Sequence, residues 1–80
     1  MHRYSQAATS RRQARALKAL AQQPDWANST KIGVPGTTLM ALVRKGYALA
    51  CVNKEHHWTE YRITENGKSL AQAIRLADFS

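Results

Sequence analysis

The spacing of apolar residues in this chain changes period, and that change limits what it can fold into. Before Gly46 two segments carry apolar residues at helical spacing, whereas Tyr47 to Val52 and Trp58 to Thr64 alternate residue by residue. After Thr64 the helical spacing returns. A helix presents one face every three or four residues and a strand presents alternate residues to opposite faces, so a hairpin must lie between helices. In its first strand Tyr47, Leu49 and Cys51 alternate with Ala48 and Ala50; in its second, Tyr61 and Ile63 share one face and Glu60 and Arg62 the other. The loop between them, Asn53 to His57, is polar and longer than a two-residue turn, so its tip is expected to project into solvent and to be mobile.

The first helix opens at Ser10, which stands three residues before Gln13 as in a capping box, and Ser5 offers an earlier start. Ala14, Leu17, Leu20 and Ala21 form its apolar stripe, and Arg11, Arg12, Arg15 and Lys18 fall on the other side. Pro24 ends it, because the ring interrupts the hydrogen-bond ladder and excludes helical geometry from the residue before it. From Asp25 to Pro35 no period is evident. This stretch, with Trp26, Ile32 and Val34, reads as a packed connection with room for one helical turn around Asp25 to Ser29.

A second helix follows Pro35 and Gly36, with Thr37 or Thr38 near its start, and closes at Lys45 with Gly46 as the C′ residue. Leu39, Leu42 and Val43 make its buried stripe, so Thr37, Met40, Ala41 and Arg44 are expected to face outward, with Thr38 and Lys45 at the margins. The last helix starts at Thr64 as N-cap, with Glu65 in the first turn where a negative charge suits the helix dipole. Gly67, Leu70, Ala71, Ile74 and Ala77 give its core side.

With 80 residues the chain is expected to form a single domain over 1–80, in which 1–9 can stay flexible. The lone Cys51 allows no intramolecular disulfide and no cysteine-pair zinc motif, so apolar packing must hold the fold. No apolar run reaches the roughly 20 residues of a membrane span, and the N-terminus lacks the apolar stretch of a signal peptide, so the cytoplasm is the default location. Twelve Lys and Arg against five Asp and Glu leave a net charge of +7, which points to a polyanionic partner, although charge alone also serves solubility.

Two segments resemble parts of one known family. Leu39 to Tyr47 resembles a recognition helix running into a wing strand, and Tyr61 to Leu70 resembles a second wing strand turning into a last helix. Together they resemble the winged helix-turn-helix of MarR-type regulators and of small phage and prophage proteins. The resemblance implies an α+β, mainly helical fold: a winged helix-turn-helix with a two-stranded β-hairpin wing and a C-terminal helix. Asp25 to Val34 departs from the family pattern, being short and poor in helical spacing where the first helix of the helix-turn-helix belongs.

The resemblance also implies double-stranded DNA as partner. On the recognition helix Thr37, Thr38, Ala41, Arg44 and Lys45 are the candidate contacts: Arg44 for guanine, the threonines for a base or phosphate, Ala41 for a thymine methyl. The alternative for Arg44 and Lys45 is simple stabilisation at a helix C-terminus. Lys54, His56, His57 and Arg62 are the candidate wing contacts, and Arg11, Arg15 and Lys18 form a basic helix face for the phosphate backbone or for solvent.

Catalytic chemistry is not expected. His56 and His57 are adjacent and would point to opposite sides of a strand, and there is no phosphate-cradling glycine loop, nucleophile elbow or paired carboxylate motif. No metal and no cofactor are expected, and Trp26 and Trp58 read as core or core-edge aromatics. Two function classes stay open: a DNA-binding regulator, and a winged-helix module that docks another protein. Finally, Leu76 and Phe79 fall off the core side of the last helix, which raises the expectation of a homodimer made there.

Overall fold

The computed structural model describes residues 11–78, with side chains as far as Arg75. In chain order the elements are α1 (Arg11–Ala21), β1 (Ala27–Asn28), α2 (Ser29–Ile32), α3 (Gly36–Arg44), β2 (Ala48–Asn53), β3 (Trp58–Ile63) and α4 (Glu65–Asp78). The three strands form an antiparallel sheet in the order β1-β3-β2.

The aperiodic stretch after Pro24 is therefore not a plain connection. Ala27 pairs with Tyr61 and Asn28 with Glu60, which adds a short third strand to the expected hairpin. The helical turn falls at Ser29–Ile32, later than expected. Asn28 caps it by accepting a hydrogen bond from the Lys31 amide at 2.8 Å, and Gly33 closes it in the left-handed conformation at φ 82°, donating to Ser29 O at 2.8 Å. One turn has too few residues to show a helical period, so the element was invisible to spacing.

α3 begins directly after Pro35, whose extended ψ turns the chain, and no side chain caps it. At its other end the Tyr47 amide donates to Leu42 O and the Gly46 amide to Val43 O, with Gly46 at φ 84°: the paired bonds of a Schellman ending. This fixes the direction in which β2 leaves the helix.

Leu17, Leu20, Leu39 and Leu42 are the largest fully buried side chains, joined by Ala16, Ala27, Ile32, Ala48, Tyr61, Ile63 and Ala71. α1 packs against α3, α4 and β3, so its buried arc runs through Ala16, while Ala21, expected in the stripe, is exposed. α3 is held between α1 and β2. Its buried arc is correspondingly wider than one stripe: Met40 packs on the core edge, and Thr38 is only 7% exposed.

Register explains the hairpin faces. Ala48 lies opposite Ile63 and Ala50 opposite Tyr61, so the large residues of β3 fill the core and leave room only for alanines beside them. Leu49 and Cys51 consequently share the outward face with Arg62 and Glu60. Trp58 is 41% exposed at the hairpin end and stacks on His56 with ring centroids 4.5 Å apart, whereas its expected place is the core or the core edge. Trp26 is half-buried. On α4, Gly67 and Ala71 are buried and Leu70 and Ile74 pack on the core, whereas the side chains of Leu76 and Ala77, and all of Phe79, lie outside the described residues.

Candidate nucleic-acid interface

α2, the Gly33 turn and α3 together complete a helix-turn-helix, and α1 lies across it. The contact is fixed at one end by Lys45 Nζ, which donates to Gln13 Oε1 at 2.9 Å. Two open clefts run along this junction. One, of about 350 Å³, is lined by Arg11, Arg12 and Arg15 over an apolar floor of Ala16, Val34 and Pro35, with Gly33 at its edge. The other, of about 530 Å³, is lined by Arg11, Arg12 and Gln13 from α1 and by Thr37, Thr38 and Ala41 from α3.

The first turns of α1 and α3 thus share one surface. No carboxylate lines either cleft, and no acidic side chain among the described residues pairs with the three arginines. Guanidinium groups so placed attract anions, and their planar donor forks suit phosphate oxygens.

The expected recognition residues divide into three groups. Thr37 is exposed, and Ala41 is half-buried at the cleft. Arg44 and Lys45 are exposed at the C-terminal end of α3, with Lys45 already engaged by Gln13. Thr38 faces α1 and is buried, so it does not stand on the margin of the outer face: it sits one helical turn before the fully buried Leu42, on the same row.

Arg11 and Arg15 are exposed at the clefts, and Lys18 is half-buried further along α1. By sequence Arg12 belongs only to the basic side of α1, yet it lines both clefts. Its position relative to α3 depends on how the helices cross, which spacing within α1 does not encode.

Lys54, His56 and His57 are exposed at the hairpin tip, and Arg62 is exposed on its outward face opposite Leu49. They do not line the clefts of α1 and α3. The tip is nonetheless ordered by local bonds. Asn53 Oδ1 accepts from the Glu55 and His56 amides at 2.9 and 3.1 Å, the His57 amide donates to Asn53 O at 2.8 Å, and His57 adopts φ 61°. Glu60 Oε2 accepts from both Trp58 Nε1 and Asn53 Nδ2, at 3.0 and 3.3 Å, so its charge is partly satisfied within the wing.

At the opposite end of the hairpin a single hydroxyl joins three elements. Thr64 Oγ1 accepts from the Gly67 amide at 3.0 Å as the N-cap of α4 and donates to Gly46 O at 2.8 Å. The Thr64 amide donates to Tyr47 O. The end of α3, the start of β2 and the start of α4 are thereby locked together, which sets the angle between α3 and the wing.

Among the described residues no helix is long and apolar enough to cross a membrane, and no cluster of His, Cys, Asp and Glu has the makings of a metal site. No protein-family model and no curated protein matches the chain. Among solved structures it is similar to MepR in the crystal structure of the S. aureus MepR-DNA complex, with a TM-score of 0.70 and 21% sequence identity. The likeness covers 89% of this chain and 65% of the MepR chain, so this chain spans just under two thirds of that protein. Element order, the hairpin that forms two strands of the three-stranded sheet, and this likeness agree that the fold is a winged helix, the fold that MepR carries in its complex with DNA.

Proposed function

We infer that the chain binds double-stranded DNA without catalysing a reaction. In this reading α3 enters the major groove with Thr37, Ala41, Arg44 and Lys45, while Arg11, Arg12 and Arg15 of α1 hold the phosphate backbone beside it. Lys54, His56, His57 and Arg62 of the wing contact a neighbouring backbone segment. The observation that carries the reading is that Arg11 and Arg12, which no acidic side chain among the described residues pairs with, share a cleft with the start of α3. The likeness to a DNA-bound winged helix supports it.

The outer surface of α3 offers few groups that can read bases, so sequence preference rests on Arg44 and on few other contacts. This fits a small cytoplasmic, single-domain transcriptional regulator or phage accessory factor, and such a thin reading surface gains from a homodimer that presents two recognition helices. Titration of labelled random duplex DNA at low and at physiological salt tests the reading. Each phosphate neutralised contributes about 0.9 to the slope of log K against log salt, so affinity is expected to fall steeply. Affinity that does not change with salt overturns it.

A second reading, a module that docks a protein, is favoured by the exposed Leu49, Val52 and Trp58 on the wing. Under it the same titration shows no binding at low salt.

A further inference from the structure

β2 is the outer strand of the sheet, and β3 is its one sheet neighbour among the described residues. Its sequence, Ala48 to Asn53, contains no charge, no proline and no glycine. Exposed sheet edges in soluble proteins normally carry such devices, because free N–H and C=O groups template further pairing. The opposite edge of the sheet is the two-residue β1, too short to extend pairing. Any strand addition therefore happens once, at β2, and closes.

The direction of the free groups follows from the ladder. Thr64 donates to Tyr47 O across the start of the hairpin, so the odd-numbered residues of β2 point their backbone groups toward β3. Ala48, Ala50 and Val52 then point theirs to the open edge. Two copies of β2 related by a two-fold axis at Ala50 satisfy every one of these groups: Ala50 pairs with Ala50 of the second copy, and Ala48 with Val52 in both directions.

The side-chain rows fit the same register. With the axis at Ala50, Leu49 lies beside Cys51 of the second copy, so each outward row reads Arg62, Leu49, then Cys51 and Glu60 of the other copy. A cation of one copy shares a row with a carboxylate of the other. An axis at Cys51 would instead put the two Glu60 carboxylates in one row and leave Ala48 unpaired. The neutral strand is also where two chains of net charge +7 can approach with least repulsion.

We propose that two copies of this chain associate by antiparallel pairing of their β2 edges about Ala50, doubling the sheet and covering Leu49, which is 51% exposed in one copy. The proposal does not depend on DNA binding. Sedimentation of the chain without DNA is expected to show a dimer, and a monomer at high micromolar concentration overturns it. Ala50→Pro removes an N–H that points to the open edge and is compatible with an edge strand, so it is expected to abolish the dimer. Val52→Pro, which removes another N–H that points to the open edge at an exposed position, is expected to do the same and guards against a folding defect in the first variant. A dimer that persists in both overturns the assignment to β2.

Register is read separately. Under mild oxidation Leu49→Cys is expected to yield a disulfide-linked dimer through Cys51 of the second copy, because facing residues of a non-hydrogen-bonded pair lie about 4.5 Å apart at Cα. The wild type is expected to stay unlinked, since its two Cys51 residues are offset. Efficient linkage of the wild type overturns the Ala50 register.

Discussion

Gly67, at the start of α4, lies against the carbonyl of Tyr47 so closely that a Cβ there would overlap the Tyr47 oxygen and sit 2.7 Å from Cγ1 of Ile63. The obstacle is backbone held by the Thr64 amide, not the tip of a flexible side chain. Gly67→Ala must therefore push α4 away from β2 or strain the junction, at a cost of about 1–3 kcal/mol or more. Urea denaturation measures this, and an unchanged midpoint would mean the contact relaxes freely.

Thr64→Val keeps the shape of the side chain and removes the hydroxyl that serves Gly67 and Gly46 at once. Loss of the N-cap and of the donor to Gly46 O is expected to destabilise by about 1–2 kcal/mol. Thr64→Ser, which keeps the hydroxyl, is expected to recover most of that in a thermal melt. Equal melting of the two variants would remove the hydroxyl from the explanation.

Leu42 is fully buried where α3 meets α1 and the sheet. Leu42→Ala leaves a cavity expected to cost about 2–5 kcal/mol. A chain of this length has roughly 4–12 kcal/mol of stability in total, so the variant is expected to be partly unfolded at physiological temperature. Circular dichroism against temperature reports it.

For DNA binding, Arg12→Ala and Arg44→Ala separate two roles. Arg12 lines the clefts between α1 and α3, so its loss is expected to weaken binding to all sequences alike and to lower the salt slope by about 0.9. Arg44, exposed near the end of α3, is expected to cost about 1–3 kcal/mol on a preferred site and less on random duplex. Equal losses on both duplexes would make Arg44 a phosphate contact.

Much of the architecture was legible in residue spacing. Elements longer than about two helical turns or four strand residues announce themselves, because burial on one face repeats with the backbone period. α1, α3, the hairpin and α4 all meet that condition, and Gly46 and Thr64 marked their ends through backbone chemistry that is local to the chain. β1 and α2 do not, being two and four residues long. They exist because Asn28, Gly33 and the edge of β3 complete their hydrogen bonds, and the β3 partner lies more than thirty residues away in the chain.

The candidate interface was legible in part. Sequence identified the basic side of α1 and the outer residues of α3, but treated them as separate surfaces. Thr38 and Met40 changed sides because α3 is flanked by both α1 and β2, so a single-stripe wheel understates its buried arc. Trp58, expected in the core or at its edge, stands at the wing tip because it falls on the same alternate face of β3 as Glu60 and Arg62, opposite the buried Tyr61 and Ile63.

The sequence by itself determined which of the long segments are helix and which are strand, where they stop, and that the chain is strongly basic. These follow from periodicity, caps and composition, which act over a few residues. Tertiary structure alone decided that Arg11 and Arg12 stand beside Thr37 and Ala41, and that β2 is left at the open edge of the sheet. Both depend on the crossing of α1 over α3 and on the order of strands, which are set by how the buried leucines and the large residues of β3 pack together across the chain.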